Sequence, residues 1–140
     1  MANTDGGPAG FQEHEHTADW ELQVWAPDLP GLLEQAARGM YALTGVVLAA
    51  GPRQGRSIRL EADDREILLV SFLEGLLFLG EIEGLGFDEF VIEVDGRRLQ
   101  AELVGAAIQS QAKEIKAVTY HNLEVRETGR GLEANLVFDV

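Results

Sequence analysis

The chain has 140 residues, 46% of them hydrophobic, and no cysteine, which suits one domain with its own core and excludes disulfides and thiolate metal sites. Its 24 acidic residues outnumber 11 basic ones, for a net charge of −13. Such a surface repels phosphate backbones, so no direct tight nucleic-acid binding is expected, whereas a basic protein partner, a cation or simple solubility each fits.

Residues 1–10 are polar and Gly-rich, with neither the basic nor the apolar run of a signal peptide, and read as a flexible lead ahead of a single domain over residues 11–140. Trp20, Leu22 and Val24 alternate with Glu21, Gln23 and Trp25 as a half-buried strand that Pro27 stops. Asp28 can cap a helix whose stripe is Leu32, Leu33, Ala36, Ala37, Met40 and Tyr41, ending at Gly45. A loop over Ala50 to Gly55 leads to a strand carrying Ile58, Leu60 and Ala62. Asp63 and Glu66 form a capping pair for a second helix, whose stripe is Leu68, Leu69, Phe72, Leu73, Leu76 and Leu77. Gly75 and Gly80 weaken that helix by about 1 kcal/mol each relative to Ala and open room for close packing on a sheet. The longest apolar region, Ile67 to Leu79, is interrupted by Ser71, Glu74 and Gly75 and falls short of the ~20 residues of a membrane span, so a cytoplasmic location is expected.

Strands follow. Phe90, Ile92 and Val94 run into Asp95-Gly96, a two-residue hairpin signal, and Leu99, Ala101 and Leu103 return. Val104 to Lys113 has no period and reads as a loop. Ile115 to Tyr120 reads as a strand, and His121, Leu123 and Val125 alternate with polar residues in the same way. Residues 127–131 make a turn before a last strand with Ala134, Leu136, Phe138 and Val140 on one face. This order points to an α+β fold, with two amphipathic helices packed on a largely antiparallel sheet and a strand-helix-strand unit that occurs twice in loose form.

Three segments carry unusual chemistry. Asp19 begins the first strand, Asp139 ends the last, and an α-carboxylate at Val140 would stand beside Asp139. Gathered, these groups repel unless a hard divalent cation lies among them, but spacing alone leaves both aspartates readable as solvated strand ends. His14, His16 and His121 raise a three-His zinc site, though no helix presents them rigidly. Lys116 interrupts an apolar strand and either reaches solvent or meets a carboxylate. The chain lacks a cysteine nucleophile, a serine elbow and a Gly-rich phosphate loop.

Glu15-His16-Thr17-Ala18-Asp19, Lys116-Ala117-Val118-Thr119-Tyr120-His121 and Phe138-Asp139-Val140, in that order, together resemble the archease family. The helix from Ile67 to Leu79 followed by Glu83-Gly84-Leu85 fits that family's middle segment, and the resemblance runs from about Phe11 onward. It implies an accessory protein, not an enzyme. Archeases assist RtcB-type RNA ligases in tRNA splicing or RNA repair, promoting guanylylation of the ligase and its repeated turnover. The resemblance further implies a divalent-metal site at Asp19, Asp139 and Val140, with Ca2+ expected first and Mg2+ or Mn2+ as alternatives. It marks Lys116 as a residue linked to activity. His14 stands where the family usually has an aromatic residue, and Trp20-Glu21 where it has a small aliphatic residue and glycine. Two rivals remain: a stand-alone metal-dependent enzyme with Asp19 or His16 as base, and an acidic interaction module without metal.

Overall fold

In a computed structural model, which describes residues 7–15 and 19–140, the chain runs β1 (Gly10–Glu15), β2 (Asp19–Ala26), α1 (Leu29–Thr44), β3 (Val47–Leu48), β4 (Gln54–Glu61), α2 (Arg65–Glu83), β5 (Leu85–Asp95), β6 (Arg98–Ser110), β7 (Ala117–Thr119), β8 (Arg126–Thr128) and β9 (Gly131–Asp139). The α+β expectation holds. Every strand pairing is antiparallel, and the strands divide into two sheets. The first has the order β1-β2-β9-β7, with β8 also on β9. The second has the order β3-β6-β4, with β5 also on β6. Among the described residues no helix is long and apolar enough to cross a membrane.

Both helices begin where a short acidic side chain can take up a free backbone donor. The Asp28 carboxylate accepts from the Gly31 N–H at 2.8 Å, and Pro30 occupies the first turn of α1, where a missing N–H costs nothing. In α2 the capping residue is Asp64, not Asp63, because its oxygen reaches the Ile67 N–H at 2.7 Å. Glu66 is thereby free of the capping pair and accepts from the Val125 N–H at 2.7 Å, which ties α2 to the segment before β8. Gly45 and Gly84 close the two helices in the left-handed conformation, at φ 67° and 69°.

The predicted stripes are the buried faces. Leu32, Leu33, Ala36 and Ala37 of α1, and Leu69, Phe72 and Leu73 of α2, are wholly buried. They meet Leu22 and Val24 of β2 and Leu136 and Phe138 of β9 in one core. Gly75 lets α2 approach β4, since a Cβ there would lie 3.0 Å from the Ile58 Cδ1. Gly39 does more for α1: a Cβ would meet the Leu22 methyls at 2.6 and 2.9 Å and the Phe11 ring at 3.0 Å.

Four segments differ from the sequence expectation. Residues 104–110 are not a loop but the far half of β6, where Val104 and Gly105 pair with both β4 and β5. Their pattern is hidden because small residues fill a crowded position: a Cβ on Gly105 would collide with the Gly86 carbonyl oxygen. Residues 121–125 are not a strand. They turn, with Asn122 at φ 53° and the Leu123 N–H donating to the Tyr120 carbonyl at 3.1 Å. The expected turn at 127–131 narrows to residues 129 and 130, because β8 pairs through Thr128 with Gly131. Finally β1 is a strand that carries little alternation of its own and is set by its pairing to β2.

Candidate metal-binding corner

The alternation of β2 and β9 decides which side chains face outward. In β9 Leu132, Ala134, Leu136 and Phe138 point into the core, so Val137 and Asp139 point out. In β2 Leu22, Val24 and Ala26 point in, so Asp19 and Glu21 point out. The pairing register sets Asp19 directly opposite Asp139, and Trp20 opposite Phe138. Directly opposed residues of an antiparallel pair carry their Cβ atoms about 4.5–5.5 Å apart on the same face. The two carboxylates therefore share one small outer surface.

On the other side of β9, Asp139 faces Ala117 of β7. The Lys116 backbone N–H donates to the Asp139 carbonyl at 2.7 Å, so β7 and β2 grip the same residue from both sides. Ala117 places only a methyl group beside the Asp139 carboxylate. Val140 follows, half-buried and packed against the core, which fixes the direction in which the main chain leaves β9. The Lys116 side chain is exposed and makes no ion pair among the described residues.

Two like charges facing each other across a strand pair are destabilising unless something compensates them. Among the described residues neither Asp19 nor Asp139 has a cationic side chain in an ion pair. Two carboxylates with adjoining main-chain oxygens make an all-oxygen donor set, the kind that hard divalent cations take and that zinc does not prefer. No group of three His, Cys, Asp or Glu side chains that could hold a metal gathers among the described residues.

The histidines are not assembled. His14 pairs with Glu21 on the β1 edge, exposed. His121 is exposed after β7, its Nε2 3.3 Å from the Asn122 amide nitrogen. His16, with Thr17 and Ala18, lies outside the described residues. One neighbour of the corner had no signal in the sequence. The Lys113 ammonium stands 3.9 Å above the ring of Trp20, the residue after Asp19, a cation–π contact on the opposite face of β2 from the Asp19 side chain. Lys113 belongs to the aperiodic stretch after β6, where nothing in the spacing marks it.

Next to the corner a cavity of about 530 Å3 opens between α1, α2 and the segment leading to β7. Tyr41, Leu77, Glu81, Gln111 and Lys116 are among its lining residues. The Tyr41 hydroxyl is buried, and among the described residues its nearest polar neighbour is the Phe87 backbone, short of full hydrogen-bond geometry. Burial raises its pKa above the usual phenol value, and the nearby Phe87 backbone offsets only part of that.

Comparison with known proteins covers nearly the whole chain. Residues 11–140 match the model of the Archease protein family. The protein archease of Methanopyrus kandleri is 34% identical, over 86% of this chain and 92% of that protein. That of Thermococcus gammatolerans is 32% identical, over 86% and 91%. A crystal structure of an archease, a possible chaperone, from Thermotoga maritima superposes with a TM-score of 0.68 at 24% identity, covering 92% of this chain and 96% of that one. A solution structure from Methanobacterium thermoautotrophicum gives 0.72 at 25% identity, covering 93% and 98%.

Proposed function

The chain belongs to the Archease protein family, and from that premise we propose that it is an accessory protein that activates an RtcB-type RNA ligase in tRNA splicing or RNA repair. In this reading it is not itself an enzyme. It promotes guanylylation of the ligase, allows repeated turnover, and acts in the cytoplasm. Asp19, Asp139 and the α-carboxylate of Val140 hold a divalent cation, Ca2+ by preference, with Mg2+ or Mn2+ as alternatives. The observation that carries the reading is the register of β2 and β9, which opposes Asp19 and Asp139 while Lys116 is bonded to the latter's main chain.

When bound, the cation supplies compensation of phosphate charge during attack on GTP. The residues of the chain supply the rest. Asp19 and Asp139 are presented by paired strands, so little backbone freedom is lost on binding. The Lys116 ammonium, exposed at the edge of the same corner, is available to a phosphate or a carboxylate of the partner. The acidic surface matches a ligase whose RNA-binding face must itself be basic, and gives the protein no means of holding RNA tightly.

The test is a guanylylation assay with purified ligase, GTP and divalent cation. The protein should accelerate it, and Asp139→Ala should lose most of that acceleration. No acceleration by the unmodified protein would sink the activator reading. Incubation with RNA, nucleotide and metal but no ligase should give no turnover. Turnover there would favour a stand-alone enzyme instead.

A further inference from the structure

Helix α2 buries Leu68, Leu69, Val70, Phe72, Leu73 and Leu76, yet it also carries large apolar side chains outside that face. Here only part of it is covered. Of its exposed positions, 67, 74, 78, 81 and 82 lie on one face, with Glu74 and Glu81 among its apolar residues, while Glu83 lies elsewhere and pairs with Arg56. On that face Ile67, Phe78 and Ile82 are 37, 60 and 63% exposed. Tyr120, just past β7, is 53% exposed, and β7 packs against α2. Partial burial first, and then the charges of Glu74 and Asp64, raise its hydroxyl pKa. Single exposed apolar residues need no explanation, but an aligned set with an aromatic neighbour does.

We infer that the outward face of α2, with Phe78 and Ile82 at its centre and Tyr120 on its flank, is the docking surface for a partner protein that presents apolar side chains ringed by Lys and Arg. Charge decides among the candidate occupants. Asp64, Glu74 and Glu81 rim the patch, and neither Glu74 nor Glu81 has an ion-pair partner among the described residues. A second copy would bring the same acidic rim against itself, in a molecule that already carries −13. An anionic membrane is repelled for the same reason. A basic protein is attracted, and buried aromatic and aliphatic anchors inside a charged rim are the usual anatomy of a protein interface.

This inference rests on the activator reading, because it names the partner's docking site on the same molecule. Leu77, Gly80 and Glu81 of α2 line the same cavity as Lys116, whose main-chain N–H donates to the Asp139 carbonyl, so α2 and the segment before β7 meet at one cavity.

The test uses the full-length protein and the purified RtcB-type ligase of the same organism, with affinity measured by calorimetric titration at two salt concentrations. Phe78→Ser combined with Ile82→Ser should weaken binding at least tenfold and leave the Ca2+-induced rise in melting temperature unchanged. Glu74→Lys with Glu81→Lys should weaken it as well and flatten its salt dependence. Asp139→Ala should bind but fail to stimulate. If the Ser pair and the Lys pair both bind as the unmodified protein does, the α2 face is not the docking site, although the activator reading survives. If the unmodified protein neither binds nor stimulates the ligase, the activator reading falls and the occupant named here falls with it. A dimer in sedimentation that the Ser pair dissolves would assign the face to a second copy and overturn the proposal.

Discussion

In the proposed reading Asp139 carries two opposite contributions: facing Asp19 it would cost the unliganded protein electrostatic energy, and with a cation present it would supply binding. Asp139→Asn should therefore raise stability by about 0.2–1 kcal/mol in EDTA, the size of a like-charge cross-strand term, and abolish stabilisation by Ca2+. The unmodified protein should gain about 2.7 kcal/mol at a cation concentration 100 times the dissociation constant. Denaturant melts with and without Ca2+ read both effects. Tyr41 makes a second case. Its hydroxyl is buried with only the nearby Phe87 backbone as a polar neighbour, so Tyr41→Phe should change stability by no more than about 1 kcal/mol in chemical denaturation. The folded state keeps this phenol neutral, its pKa lying above the unfolded value of about 10. That contribution is full below pH 10 and is lost as pH rises further, and the Phe variant should lack this loss. At this scale the sequence was legible in part. The acidic types at 19 and 139 were visible, but they lie 120 positions apart and no period connects them; only the three ordered motifs did. Lys113 left no trace, because a cation–π contact depends on where a loop passes and not on spacing.

Elements were clearest where one face alone is buried. The α1 stripe and the alternation of β9 are such cases, and their boundaries followed from Asp28, Gly45 and the turn before Gly131. The far half of β6 was hidden for the opposite reason. Strands close on both sides there, and Gly105 is required by a neighbouring carbonyl, so the polar-apolar contrast disappears. Residues 121–125 misled in the other direction, since their alternation is real while their backbone is spent on a turn and on Glu66. Gly39 shows how tertiary contact overrides propensity. In an isolated helix Gly→Ala gains about 1 kcal/mol. In α1 the new methyl would press on Leu22 and Phe11, and such overpacking costs about 1–3 kcal/mol. Gly39→Ala is thus expected to lower the denaturation midpoint with an unchanged slope, whereas the helix preference alone predicts a rise.

Across the whole molecule, acidity and topology act together. With a net charge of −13 on the chain, the complex proposed with a basic protein should weaken steeply with salt. Appending one glycine after Val140 separates two roles of the last residues. Ca2+ affinity should fall, because the α-carboxylate is moved, while stability in EDTA should stay within about 0.5 kcal/mol, as for a surface change. If affinity is unchanged, the α-carboxylate is not a ligand. Neither result could be anticipated from composition, which is compatible with an acidic surface of any purpose. The position of β9, between β2 and β7 with β8 also on it, has a further consequence, for the order of events as the chain is made. Residues 10–26 leave the ribosome early as a two-stranded hairpin, and a lone hairpin is marginal in water. Their permanent neighbour is synthesised more than a hundred residues later, a separation that makes for slow pairing. Until residue 139 emerges, the inner edge of β2 stays open, and the carboxylate corner and the sheet that carries it come into being in a single late step.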